Sequence, residues 1–275
     1  MLVVLGVFIV SAVKLTAIYL RYRNSRSVQQ EAVQQYTRTS AAAKQNAGSS
    51  GSSSSGSSQA QMQPADGSAE SAVEAEPVYA PIEVDFARLK QVSGDVVGWI
   101  YCEGTVINYP VVYGRDNEYY LERNYTGAYD PSGAIFTDMR NKYGFADHNV
   151  ILYGHHMQDG SMFATLRKWF DSSYYAEHPV MWLLTPEQDY RVDLFAGYVT
   201  NADSETYSVF RSAGPELGAY LNWARRWSAI ASAVETGEED QYVVLSTCAY
   251  DTEESRSVLH GKLVPVDSAG GIPLR

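Results

Sequence analysis

Two apolar runs near the end of the chain, separated by a short acidic loop, predict a β-hairpin. The first run, Tyr242-Val-Val-Leu-Ser-Thr-Cys248, is rich in β-branched residues and ends at a cysteine. The second run opens with Arg256 and continues Ser-Val-Leu-His-Gly-Lys-Leu-Val264. A hairpin closed by the seven residues 249–255 would bring Arg256 beside Cys248. The pattern therefore places a thiol and a fixed cation at one end of a sheet.

The chemistry of this hairpin depends on the state of Cys248. The chain contains one other cysteine, Cys102, and two cysteines outside a reducing cytosol can form a disulfide. A free thiol next to a guanidinium predicts acyl transfer, because a thiolate is a strong nucleophile and arginine stays charged. A Cys102–Cys248 disulfide instead predicts a noncatalytic binding module.

A second segment presents a histidine at the end of a predicted strand. Val150 to Tyr153 is a short apolar run, and Gly154 allows the chain to turn directly after it. His155 is then a candidate general acid and base. The adjacent His156 points in another direction, and such a pair alone is weak support for a metal site. Structural roles are expected for His148, His178 and His260.

Together these segments resemble the sortase family, and class B sortases in particular. The match includes Leu245-Ser-Thr-Cys248 with Arg256 eight residues later, and Tyr153-Gly-His155-His-Met-Gln-Asp-Gly-Ser-Met-Phe163. It runs in collinear order from about Phe86 to about Val264. Further matching segments are Val258-Leu-His-Gly-Lys-Leu263, Asp95-Val-Val-Gly-Trp-Ile100, Asn108-Tyr-Pro-Val-Val112 and Asp116-Asn-Glu-Tyr-Tyr-Leu121.

The resemblance implies roles for individual residues. Cys248 is expected to be the nucleophile, His155 the general acid and base, and Arg256 the group that stabilises the oxyanion or positions the substrate backbone. The residues that fall where class B enzymes line their substrate groove are Asn117, Leu121 and Ser246.

The resemblance also implies an activity and its partners. The expected enzyme cleaves the C-terminal sorting signal of a surface protein at a threonine and transfers the acyl group to an amine of peptidoglycan or its precursor. A pilin-joining enzyme, with a pilin amine as acceptor, is a near alternative. No cofactor is required by this chemistry, and the sequence contains no clear carboxylate cage for calcium.

The first 84 residues lack the pattern of a packed domain. Residues 1–23 are predicted to be a membrane anchor or signal-anchor, although Lys14 interrupts the apolar run. Arg21, Arg23 and Arg26 follow the apolar run, and by the positive-inside tendency these basic residues would keep the rest of the chain in the cytoplasm. The resemblance instead implies a single-pass protein with an extracellular catalytic domain. Residues 24–84 include a Gly/Ser-rich stretch, 48–60, and are predicted to be a flexible linker.

Residues 85–275 are the predicted catalytic domain. The first 84 residues are balanced in charge, so this domain carries the net charge of −11, which argues against nucleic acid as a partner. The resemblance implies a mostly β fold: a closed eight-stranded sortase-type barrel with an N-terminal helix and an added helix before the cysteine strand. The patterns predict helices at 85–92, 161–170 and from Pro215, and strands at 96–101, 105–112, 150–153, 180–184 and 190–199.

Overall fold

The computed structural model describes residues 2–40, 78–248 and 254–267. The α-helices within these ranges are α1 (Leu2–Tyr36), α2 (Phe86–Val92), α3 (Ser172–Glu177) and α4 (Pro215–Trp227). Single 3-10 turns lie at Tyr119–Leu121, Leu166–Phe170 and Glu205–Tyr207. The strands are β1 (Thr37–Thr39), β2 (Ile82–Val84), β3 (Val96–Tyr101), β4 (Asn108–Tyr113), β5 (Ile135–Thr137), β6 (Asn149–Tyr153), β7 (Val180–Leu184), β8 (Asp189–Asn201), β9 (Gln241–Cys248) and β10 (Ser255–Val266).

Eight of these strands form a closed barrel. Around the barrel the order is β10-β8-β7-β3-β4-β5-β6-β9, with β9 hydrogen-bonded to both β6 and β10. Most neighbours are antiparallel, but β4 pairs with β5 and β6 pairs with β9 in parallel. Closure leaves these strands without a free sheet edge. The predicted eight-stranded barrel is therefore confirmed.

The barrel interior is filled by the apolar side chains that alternate along each strand. Fully buried examples from facing strands are Ile100, Val111, Ile135, Leu152 and Leu245. Period-two alternation sends these residues inward and their neighbours outward.

The helix α4 covers the outside of β8 and β9. Pro215 stands at its start, where a missing N–H removes no intrahelical hydrogen bond, and the predicted helix there is confirmed. Its buried stripe is formed by Leu217, Tyr220, Leu221 and Ala224. Leu217, Tyr220 and Leu221 pack with Phe195 of β8 and Tyr242 of β9.

Two predicted elements are shorter in the structure. The helix expected at 161–170 is reduced to the 3-10 turn Leu166–Phe170, because Met162 adopts a φ of +57° and interrupts any helix before it. The strand expected from Thr105 begins instead at Asn108. The Thr105 side chain accepts a hydrogen bond from the Ile107 amide at 3.1 Å and closes a turn there.

The described part of residues 24–84 differs from the predicted flexible linker. Helix α1 continues to Tyr36, and β1 pairs with β2 in antiparallel register. Ala32 and Tyr36 are buried in a cluster that also contains Trp99 of the barrel. The Gly/Ser-rich stretch, 48–60, lies outside the described residues.

The N-terminal segment predicted as an anchor forms the first part of α1. Within the described ranges, no helix has both the length and the apolar character that crossing a membrane requires.

Candidate active site

Cys248 and Arg256 occupy opposite positions in the β9–β10 hairpin. They are the last residue pair of this ladder toward the connecting loop. Residues directly opposite in an antiparallel ladder share one face of the sheet. The sequence predicted this pairing, and most of the acidic loop between the two strands, residues 249–253, lies outside the described residues.

The parallel pairing of β6 with β9 brings His155 to the same end of the barrel. Tyr153, the last residue of β6, lies opposite Ser246, and the Gly154 amide donates to the Ser246 carbonyl at 3.1 Å. His155 is two residues beyond Tyr153, as Cys248 is two residues beyond Ser246. The three predicted catalytic residues therefore come from three neighbouring strand ends.

His155 is held by main-chain groups on both sides. Its Nε2 lies 2.7 Å from the carbonyl oxygen of Leu121, and its own carbonyl accepts from the Phe163 amide at 3.0 Å. Because a carbonyl oxygen can only accept, Nε2 carries a proton in this geometry and Nδ1 is the other nitrogen of the ring. Leu121 thus contributes its backbone to the site, as well as a side chain that is 37% exposed.

Gly154 is required by the close packing behind the histidine. A Cβ at this position would lie 2.5 Å from Ile135 Cδ1 and 2.8 Å from a ring carbon of Phe163. Only a residue without a side chain lets the chain pass between these groups and present His155 at the rim.

Two cavities lie along this end of the barrel. The first, of about 790 Å³, is lined by His155, Leu121, Tyr119, Tyr129 and Pro131 among others. The second, of about 470 Å³, is lined by residues that include Asn117, Tyr153, Tyr207, Asp138 and Arg140.

The three predicted groove residues are placed differently. Leu121 lines the first cavity and Asn117 the second, where the Asn117 side-chain oxygen accepts from the Met139 amide at 2.8 Å. Ser246 is only 1% exposed, and its hydroxyl lies 2.9 Å from the hydroxyl of Tyr207. Tyr207 therefore separates Ser246 from the second cavity.

A polar network that sequence reasoning missed forms the floor of the second cavity. The fully buried carboxylate of Asp138 accepts from the Arg140 guanidinium at 2.7 and 2.9 Å and from the Tyr153 hydroxyl at 2.8 Å. Burial by itself would raise the pKa of Asp138, but these donors outweigh burial and hold the pKa below its ordinary value. Burial, with Asp138 nearby, raises the pKa of Tyr153. The sequence feature that could have predicted this network is the Asp-x-Arg motif, Asp138-Met-Arg140, directly after β5.

Arg256 is half-buried at the start of β10. One of its guanidinium nitrogens, Nη1, donates to the Ser255 carbonyl at 3.0 Å. This contact with its own strand limits the orientations of the side chain next to Cys248.

The second cysteine has a different environment. Cys102 is a free, buried cysteine whose Sγ lies 3.5 Å from the Val180 carbonyl oxygen, so the Cys102–Cys248 disulfide considered above is absent. Burial raises the pKa of the Cys102 thiol to about 11, which keeps it protonated and unreactive near neutral pH.

His156, the neighbour of His155, is half-buried. Its backbone forms an isolated bridge with Met162 inside the loop. Across residues 2–40, 78–248 and 254–267, no group of three or more metal-ligating side chains is assembled.

A closed barrel that brings cysteine, arginine and histidine together at one rim has the parts of a cysteine-dependent acyl-transfer enzyme. The comparisons with known proteins agree with this class. The sortase domain model matches residues 100–264.

Individual relatives are also similar over most of their length. Sortase B of Listeria monocytogenes is 36% identical over 189 residues, which are 68% of this chain and 77% of the relative. A solved complex of Staphylococcus aureus sortase B with substrate superposes with a TM-score of 0.63 at 32% identity, covering 66% of this chain and 85% of that one. A solved Bacillus anthracis sortase B gives a TM-score of 0.67 at 28% identity, covering 90% and 99%.

The chain therefore belongs to the sortase family of cysteine transpeptidases, and within it to class B.

Proposed function

We propose that this enzyme cleaves a C-terminal sorting signal of surface proteins after a threonine and joins the new acyl group to an amine of peptidoglycan or its precursor. The observation that carries the proposal is the shared position of Cys248, Arg256 and His155 at neighbouring strand ends. Family membership supports the reaction class, and the substrate and acceptor are the proposed elements.

The cycle starts from a Cys248 thiolate and a His155 ring that carries a proton on Nδ1 as well as on Nε2. In the first half-reaction the thiolate sulfur attacks the threonyl carbonyl carbon. The scissile C–N bond breaks, and His155 gives a proton to the departing amine. Arg256 hydrogen-bonds the developing oxyanion, a contribution of roughly 3 kcal/mol in comparable sites. The product of this step is a thioester on Cys248 and a released peptide.

In the second half-reaction the acceptor amine attacks the thioester carbonyl. The amine loses a proton to His155, the C–S bond breaks, and Cys248 leaves as a thiolate. Because Leu121 holds Nε2 of the histidine, Nδ1 is the nitrogen that we assign to both proton transfers. The enzyme thereby returns to its starting state, and one amide bond has replaced another.

The two cavities support a peptide that lies across the rim. They flank the strand ends that carry Cys248 and His155, and Asn117 and Leu121 line one cavity each. The Staphylococcus aureus relative was solved as a substrate complex. We assign Asn117, Leu121 and Tyr207 to contacts with the sorting peptide, with Ser246 supporting Tyr207 from behind.

The proposal also places the barrel outside the cytoplasmic membrane, where surface proteins and wall precursors meet. The apolar residues 2–13 support attachment through the N-terminal segment. Protease added to intact cells that express the chain is expected to degrade the barrel. Protection of the barrel until the cells are lysed would contradict this location.

The function is tested with a library of threonine-containing peptides and a panel of amines, analysed by mass spectrometry. Wild-type enzyme is expected to give products in which an amine is joined to the threonyl carboxyl. A preference for a wall-precursor amine or for a pilin lysine would identify the acceptor. Absence of any cleaved peptide would refute the proposal.

Two matched variants test whether His155 or His156 is the catalytic histidine. His155→Ala is expected to abolish cleavage, since the general acid and base is lost. His156→Ala is expected to retain much of the activity, because its neighbour keeps Nε2 on Leu121. The opposite order of activities would show that His156 is the essential histidine.

A further inference from the structure

The N-terminal helix α1 contacts both loops that position His155. Two adjacent residues of this helix, Ser25 and Arg26, make these contacts, and together they are called the α1 clamp. The Ser25 hydroxyl donates a hydrogen bond to the Asp130 carboxylate, and Arg26 forms an ion pair with Asp159.

The first contact ties α1 to the loop that supplies Leu121. Asp130 is 2% exposed, and besides Ser25 its carboxylate accepts from the Ser132 amide at 3.0 Å. The Asp130 amide in turn donates to the Glu122 carbonyl at 2.9 Å, next to the carbonyl that holds Nε2 of His155. A short chain of hydrogen bonds therefore connects α1 to the segment of Leu121, whose carbonyl oxygen accepts from His155.

The second contact ties α1 to the loop that follows His155. Arg26 donates from Nε to an Asp159 carboxylate oxygen at 2.7 Å and from Nη2 to the Asp159 carbonyl at 3.0 Å. The other carboxylate oxygen of Asp159 accepts from Ser161, and the loop closes with the Phe163 amide on the His155 carbonyl. Arg26 thus holds the tip of a loop whose base is the histidine itself.

An open space lies beside this second contact. A cavity of about 720 Å³ lies between α1 and the barrel, and Arg26, Asp159, Gly160 and Ser161 line it. The contacts of Arg26 with Asp159 bridge the helix and the loop tip at the edge of this space.

We infer that the α1 clamp positions His155 for proton transfer, so that docking of the N-terminal helix sets the catalytic rate. Arg26 and Asp159 are positioning residues, since they act through the loop that follows His155. This inference rests on the proposed role of His155. It goes beyond that role because it couples the segment outside the barrel to the reaction.

Arg26→Gln in the full chain removes the ion pair, and Arg23→Gln is the matched control, because Arg23 is an exposed residue of the same helix. Using the best-cleaved peptide of the library, Arg26→Gln is expected to lower kcat about fivefold, the upper range for an exposed ion pair, with KM unchanged. Arg26→Lys should recover part of the loss.

A double-mutant cycle separates the clamp from a general structural effect. Asp159→Asn keeps an acceptor for Ser161 but weakens the ion pair, so its loss in kcat is expected not to add to that of Arg26→Gln. Additive losses, or a kcat of Arg26→Gln equal to that of Arg23→Gln, would overturn the inference.

A second measurement does not depend on turnover. The ring signal of His155, assigned with His155→Gln, is followed by NMR in the full chain. The clamp predicts that this signal shifts or broadens in Arg26→Gln and not in Arg23→Gln, and an unchanged signal would refute it. If no peptide is cleaved by the wild type, the proposed function fails, while this NMR comparison still decides the clamp.

Discussion

Acidification is expected to destabilise the barrel through His260. This side chain of β10 is fully buried beneath α4, with its Nε2 2.9 Å from the Tyr198 hydroxyl. Its ring stacks on Tyr198 at 5.3 Å between centroids and also lies near Phe195 and Tyr220. Within the described residues no carboxylate is bonded to the ring, so an imidazolium there would be charged and desolvated.

The sign and size of the effect follow from the pKa. Burial lowers the pKa of His260 from 6.5 to about 3. The unfolded chain therefore takes up a proton first as the pH falls below 6.5, and folding loses stability until the folded protein also protonates near pH 3. Each pH unit in this window costs about 1.4 kcal/mol, so the loss at about pH 4.5 is on the order of 3 kcal/mol.

Urea denaturation of the wild type and His260→Gln, at about pH 7 and about pH 4.5, measures this contribution. Glutamine keeps a hydrogen-bonding side chain next to Tyr198 but cannot titrate. The wild type is expected to lose roughly 3 kcal/mol more than the variant between the two conditions, other groups cancelling in the comparison. Equal losses in wild type and His260→Gln would refute the reasoning.

Two further substitutions test the packing around the site. Gly154→Ala is expected to lower the free energy of unfolding by about 1–3 kcal/mol in urea denaturation, because its Cβ would overlap Ile135 and Phe163. An unchanged midpoint would contradict that packing. Tyr207→Phe leaves the buried Ser246 hydroxyl without its partner and is expected to cost about 1–3 kcal/mol in the same assay. A loss well below that range would show that Ser246 finds another partner.

The strands of the barrel were predictable where a short, nearly continuous apolar run is bounded by polar or turn-forming residues. Residues 96–101 and 180–184 were predicted with the bounds that the structure has, and the hairpin from Tyr242 pairs Cys248 with Arg256 as expected. These segments carry β-branched and aromatic residues, which favour a pleated, buried surface. The prediction that the strands close into a barrel came from the resemblance to sortases, because the pattern of a single strand does not specify which strands pair.

The docking of α1 could not be predicted from apolar periodicity. The residues that it buries are spaced as one helix face, but several of them are small or polar: Ser25, Gln29, Ala32 and Tyr36. A stripe of this composition gives little hydrophobic signal, so the segment was assigned to a linker. Its contacts depend on hydrogen bonds with loops that are more than a hundred residues away in sequence.

The positions of the three candidate catalytic residues followed from motif and strand geometry, but the contacts that hold their side chains in place did not. His155 is oriented by the backbone carbonyl of Leu121. Every residue has such a carbonyl, so no pattern of side chains in the sequence predicts this contact. Tyr207 meets Ser246 across 39 positions of sequence, which only the fold brings together. Such contacts are properties of tertiary structure.

Cys248 is proposed to form a thioester with the sorting peptide. Intact-protein mass spectrometry of the full chain, mixed with the best-cleaved peptide and no amine, measures this directly. The wild type and Cys102→Ala are expected to gain the mass of the acyl fragment ending at threonine, and hydroxylamine should remove it. Cys248→Ala should gain nothing. An adduct that persists in Cys248→Ala, or that disappears in Cys102→Ala, would contradict the account.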